Sequence, residues 1–121
     1  MISVCMATYN GERFIQKQVQ SILSQLNNID ELIVVDDVSV DDTVKLMKKF
    51  KDARLRIINN SRNMGSISSF NKALSLANGE YIFLADQDDV WYETKVAVSI
   101  SQLEKENLDL IIHDARVVDV N

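Results

Sequence analysis

Five short apolar runs, separated by stretches whose apolar residues recur at helical spacing, constrain this chain more than any single motif. The runs are ISVCMA (2–7), ELIVVDD (31–37), LRIIN (55–59), YIFLA (81–85) and LDLII (108–112). Between the first two, Phe14, Ile15, Val19, Ile22, Leu23 and Leu26 fall on one face of a helix spanning 12–26. Val44, Met47 and Phe50 mark a second helix over 42–50. Ile67, Phe70, Leu74 and Ala77 mark a third, closed by Asn78-Gly79 as a stop signal. Val96, Ile100 and Leu103 mark a fourth over 93–106, and RVVDV (116–120) continues in extended style. Strands this apolar are buried on both faces. Joined by helices, they form an α/β protein: a Rossmann-like open, mostly parallel sheet with right-handed crossovers and helices on both faces. The expectation is one unit over 1–121, stopping in mid-architecture as a truncated piece of a longer protein.

Composition narrows the function. Of 121 residues, 46% are apolar and 26% charged, which suits a globular domain, and the net charge of −5 argues against a nucleic-acid partner. No run reaches the ~18 apolar residues of a membrane span. Met1 leads into the first strand without a basic segment, so no signal peptide is read. The single cysteine, Cys5, lies in an apolar run and is expected to be buried and unpaired. A cytoplasmic protein is expected.

In an open parallel sheet, ligands bind beyond the carboxyl ends of the strands. Here those ends read ATYNGE (7–12), DDVSVDDT (36–43), NNSRNMGS (59–66) and DQDD (86–89). The last puts Asp86, Asp88 and Asp89 at the end of an oily strand, where something positive must offset them. In extended backbone Asp86 and Asp88 point the same way. Two hard oxygen ligands suit Mg²⁺ or Mn²⁺, with phosphate and water completing the shell. An acidic turn capping the next helix is the plain alternative; a second strand end carrying Asp36 favours the metal. Asp36 suits a hydrogen bond to a base or ribose, and Asp37 suits bracing loop backbone. Ser39 and Asp42 resemble a capping box. With strand order 3-2-1-4, the second and fourth strand ends lie about 10 Å apart, the span of a nucleoside and its first phosphate. Tyr9, at the end of the middle strand, can lie against the base.

ATYNGERFI, ELIVVDDVSVDDT, NMGSISSFNKAL, ANGEYIFLADQDDVW and Lys95 together resemble the nucleotide-binding half of family 2 glycosyltransferases of the GT-A fold. The DQDDVW form resembles a rhamnosyltransferase-like bacterial subgroup. The resemblance implies transfer of a sugar from a UDP- or dTDP-linked donor to a hydroxyl, with inversion, in cell-surface polysaccharide synthesis. It implies that Ala7, Thr8, Tyr9 and Glu12 line the nucleotide pocket, Asp36 binds the base, and Gly65 lets its segment approach the nucleotide. Asp86 would then meet ribose or a metal-bound water, and Asp88 the divalent metal. A glycan or lipid-linked acceptor is implied, with peripheral docking at the inner face of the cell membrane and homodimerisation left open. Val38 stands where the family has glycine, so that turn is expected to use ordinary backbone angles. The family's general base lies in its second half, outside this sequence. His113 and Asp114 follow the fifth strand and are read as polar residues at a strand end, with an acid–base pair as the alternative. Trp91 is read as packing on the domain, with contact to the sugar as the alternative. A non-catalytic nucleotide-sugar-binding module is the alternative. A response-regulator receiver domain fails at the ends of strands one, three and five.

Overall fold

A computed structural model describes residues 1–119. It consists of β1 (Ile2–Thr8), α1 (Ile15–Leu23), β2 (Glu31–Asp36), α2 (Thr43–Lys48), β3 (Leu55–Asn59), α3 (Ser66–Leu76), β4 (Tyr81–Ala85) and α4 (Lys95–Glu106). The four strands are parallel in the order β3-β2-β1-β4. The registers Thr8↔Asp36 and Asp36↔Asn59 bring three carboxyl ends level, and Met6↔Ala85 sets β4 two residues short of them.

Alternation along each strand sorts the core into two clusters. Val4 and Met6 of β1 and Leu32 and Val34 of β2 pack on Ile15, Val19 and Ile22 of α1, Met47 of α2 and Val96 of α4. On the opposite face, Cys5, Ile33 and Val35 pack on Ala73 of α3. Each fully buried large aliphatic chain contributes roughly 1.5–3 kcal/mol, so the first face supplies most of the stability. Burial pushes the Cys5 thiol up to about 11, with the Glu31 carboxylate adding to the rise. The thiol is therefore inert.

Three expectations are corrected. Residues 108–112 do not form a strand. The chain leaves α4 through Asn107 in the left-handed region (φ 52°). Leu110 and Ile112 are exposed, and β4 has no partner on its outer edge among the described residues. An apolar run without a ladder partner has nothing to satisfy its backbone as a strand. Val38 adopts φ 66° despite its branched side chain. The loop is closed around it, because Ser39 donates its N–H to Asp36 Oδ2 at 2.9 Å and Asp37 donates its N–H to Thr8 O at 2.8 Å. The third concerns α2, which begins at Thr43 without a capping box. Asp41 Oδ1 accepts the Thr43 N–H at 3.0 Å, while the Ser39 hydroxyl turns back to Asp36. The RVVDV segment is not a strand over 116–119, and the rest of it lies outside the described residues.

Gly79 has a different reason from the one its sequence context suggests. It is not in the left-handed region. A Cβ there would lie 2.4 Å from the Ser3 backbone nitrogen. Its N–H donates to Ser3 Oγ at 2.7 Å, and Ser3 Oγ donates to Glu31 Oε1 at 2.7 Å. Arg56 pairs with the other oxygen of Glu31 at 2.6 Å. This polar cluster joins the end of α3 to the sheet.

Candidate functional site

The acidic segment after β4 is held by α1. Gln18 is wholly buried and donates Nε2 to the Asp86 carbonyl at 2.7 Å. Ser21 Oγ accepts the Trp91 N–H at 3.0 Å, and Gln25 Oε1 accepts the Val96 N–H at 3.0 Å. Positions 18, 21 and 25 are three and four apart, so one stripe of α1 grips both ends of the segment. Sequence reasoning missed this stripe. Its only signal is the run of glutamines and serines inside an otherwise apolar helical face.

Gln87 clips the segment to the end of β1. Its Oε1 accepts the Tyr9 N–H at 3.0 Å and its Nε2 donates to the Tyr9 carbonyl at 3.1 Å. Gly11 makes room for it, since a Cβ there would lie 2.4 Å from Gln87 Oε1. Gly11→Ala is therefore expected to displace the amide and cost about 1–2 kcal/mol, the net worth of its two hydrogen bonds to Tyr9. Denaturant titration of Gly11→Ala, Gln87→Ala and the double variant checks this: the two losses should be equal and not add.

Asp37 reaches across to the loop before α3. Its Oδ1 accepts the Met64 N–H at 2.7 Å and the Asn60 amide at 2.9 Å, and its Oδ2 accepts the Gly65 N–H at 2.8 Å. Gly65 sits at φ 85° with open space around the missing Cβ. Burial raises the Asp37 carboxyl, but these three donors outweigh it and hold the group below its ordinary value.

A cleft of about 380 Å³ opens between these parts, beyond the carboxyl ends of β1 and β4. Ala7, Thr8, Tyr9, Gly65, Asp86 and Asp88 line it, together with Asp37, Asn63, Ser66, Ser69, Phe70 and Gln87. Two sequence-derived candidates stand elsewhere. Asp36 lies on the α1–α2 side and is 2% exposed; it accepts the Thr8 hydroxyl at 3.0 Å and the Ser39 hydroxyl at 2.5 Å. Glu12 accepts the Asp42 N–H at 2.9 Å and is also absent from the cleft wall. Trp91 packs on the domain, its ring 5.6 Å from that of Phe83. His113 meets Ser99 of α4 at 2.9 Å, away from the cleft. A wider depression of about 650 Å³, bordered by Lys17, Phe50, Trp91 and Glu93, gathers no set of reactive groups.

Like charge is concentrated at the cleft mouth. Burial raises the Asp89 carboxyl, and Asp86 and Asp88 raise it further. Burial lowers the Lys95 ammonium, while Asp89 and Asp86 oppose that. No group of three or more His, Cys, Asp or Glu side chains converges among the described residues. Asp86 and Asp88 nevertheless share one cleft, and two carboxylates fit Mg²⁺ or Mn²⁺, which takes one or two from protein and the rest from phosphate and water.

The model of the family described as Glycosyl transferase family 2 matches residues 3–121. The chain belongs to glycosyl transferase family 2. Among its family 2 relatives is the Escherichia coli UDP-Glc:alpha-D-GlcNAc-diphosphoundecaprenol beta-1,3-glucosyltransferase WfgD, 31% identical over all of this chain and 48% of its own length. A second E. coli enzyme of that description, WfaP, is 38% identical over 89% of this chain and 43% of its own. This family 2 chain thus spans about half the length of the curated relatives it matches. The crystal structure of S. aureus TarS 1-349 superposes with TM-score 0.80 and 27% identity over 88% of this chain and 33% of that one; the same protein is known in complex with UDP. The mannosyltransferase PcManGT from Pyrobaculum calidifontis, in complex with GDP-Man and Mn²⁺, matches with TM-score 0.78 and 26% identity over 84% of this chain and 32% of that one. The sheet and its helices are the GT-A fold of these glycosyltransferases. No helix among the described residues is long and apolar enough to cross a membrane.

Proposed function

We propose that residues 1–121 form the donor-binding part of an inverting glycosyltransferase that moves a sugar from a UDP- or dTDP-linked donor to a hydroxyl of a glycan or lipid-linked acceptor in cell-surface polysaccharide synthesis. The observation that carries this reading is the cleft that gathers Ala7, Thr8, Tyr9, Gly65, Asp86 and Asp88 beyond the strand ends. The names of the relatives, which speak of UDP-Glc and diphosphoundecaprenol, support the donor and acceptor classes and set glucose beside rhamnose as the sugar.

Tyr9, half exposed at the end of β1, offers a flat face to the base. Thr8 and Ala7 form the floor, and Gly65 lets the α3 loop approach the nucleoside without a side chain between. Asp36 supports the nucleotide pocket from behind, its carboxylate accepting the hydroxyl of Thr8, which lines the cleft. Asp86 faces the ribose side and Asp88 the diphosphate, and the two would hold Mg²⁺ or Mn²⁺. When bound, that ion neutralises charge growing on the leaving diphosphate. Glu12 supports the pocket through the Asp42 N–H. The acceptor is deprotonated by a base outside these residues, and membrane docking and dimerisation belong to the whole protein.

Calorimetric titration of UDP, dTDP and GDP in Mn²⁺ and in EDTA tests donor binding. A pyrimidine diphosphate should bind in Mn²⁺ and lose at least about tenfold in EDTA, one carboxylate-held ion's share. Equal, weak binding of all three in both media would sink the proposal. Transfer of labelled sugar by the whole protein separates an enzyme from a binding module.

A further inference from the structure

The loops that follow β1 and β2 grip each other by reciprocal hydrogen bonds. Asn10 donates its N–H to Ser39 Oγ at 2.9 Å, and its own Oδ1 accepts the Val40 N–H at 2.9 Å. Two residues on, Glu12 repeats the exchange. Its N–H goes to Asp41 Oδ2 at 3.1 Å, and its Oε2 accepts the Asp42 N–H at 2.9 Å. Asn10 is exposed, so packing does not account for it. Its backbone is left-handed at φ 48°, a conformation that asparagine tolerates better than most side chains. Glycine would meet that backbone requirement but could not supply the acceptor for Val40.

Tyr9 lies between this clasp and Gln87. The Gln87 amide takes both its N–H and its carbonyl, so its backbone is held from the β4 side, and the residue after it is held from the β2 side. Its ring has no such restraint: it is half exposed and stacks on no other ring among the described residues. A side chain without packing of its own takes its direction from the backbone that carries it. We propose that Asn10 is a positioning residue for the nucleotide base: its clasp on the loop after β2 fixes the backbone from which Tyr9 presents its ring to the cleft. This role rests on the proposed contact between Tyr9 and the base, and the clasp does not. A ring already in place need not be ordered when the base arrives, so loosening the clasp weakens binding of the base.

Two measurements test this on the whole chain. The first is amide hydrogen exchange without ligand, read by mass spectrometry on peptides covering each loop. Asn10→Gly keeps the left-handed backbone and removes the acceptor. It should speed exchange in the loop after β2 about three- to tenfold, the worth of one hydrogen bond. Glycine's own flexibility would act in the loop after β1 alone. Asn10→Asp, which keeps an acceptor, should match wild type. The second is calorimetric titration of UDP in Mn²⁺. Asn10→Gly should bind UDP about three- to tenfold more weakly than wild type, a part of what base–aromatic stacking contributes. In a Tyr9→Ala background the same change should alter affinity by less than about twofold, because the ring it positions is gone. Asn10→Asp should keep wild-type affinity. Equal losses in the two backgrounds overturn the positioning role, as does unchanged exchange in the loop after β2. Faster exchange there with no UDP binding by wild type supports the clasp and counts against the nucleotide reading instead.

Discussion

Asp37→Ala is expected to lower unfolding stability by roughly 3 kcal/mol, one of the two largest effects foreseen here. The side chain is buried and accepts from two main-chain N–H groups and one amide. Alanine leaves all three donors without their acceptor and frees the loop that carries Gly65. For a chain this size that corresponds to a fall in melting temperature on the order of 10 °C. The pH dependence gives a second check. Because the folded carboxyl lies below its ordinary value, its contribution is fully present above the unfolded value of 3.8 and is lost as pH falls through the folded one. Asp52, paired with Arg54 and lowered to about 2, and Asp41, also lowered, act in the same direction. Wild type should therefore lose stability steadily below about pH 4, and Asp37→Ala should show a shallower acid limb. Melting curves from pH 7 to pH 2 would read both effects; an unchanged midpoint at pH 7 would show that the latch contributes nothing.

Hydrophobic period made the sheet legible, and the position of polar clusters at strand ends made the cleft legible. Those signals are local, and the strand order β3-β2-β1-β4 agrees with the order assumed for parallel strands joined by helices. What was not legible depends on which face a side chain takes at the last residue of a strand. Asp36 and Asp37 are neighbours, yet alternation sends Asp36 towards Thr8 and Ser39 and Asp37 towards the cleft. The sequence placed both at the right level and could not say on which side each falls. Val38 was misread for a related reason: its left-handed backbone is held by hydrogen bonds on both flanks, and local steric preference carries no record of them. Gln18, Ser21 and Gln25 looked like ordinary helical polarity because their partners are 68 to 71 residues away. Residues 108–112 had the composition of a strand, but a strand is a paired object and composition does not supply the pair.

Asp88→Asn is the sharper probe of chemistry, since it should alter binding while leaving the fold alone. The segment is held by Gln18, Ser21 and Gln87, so none of its restraints comes from Asp88. Removing its charge also relieves Asp89, whose carboxyl Asp88 helps to raise. The melting temperature in metal-free buffer should therefore stay level or rise slightly. Affinity for a pyrimidine diphosphate in Mn²⁺ should fall about a hundredfold, because a neutral amide oxygen replaces one of at most two protein carboxylates on the ion. In EDTA the two proteins should bind alike. Asp89→Asn provides the contrast: Asp89 is not part of the cleft wall, so its loss should change affinity only by a few-fold through long-range charge. An Asp88→Asn protein that binds nucleotide in Mn²⁺ as wild type does would remove this carboxylate from the metal and leave Asp86 to account for the acidic cleft alone.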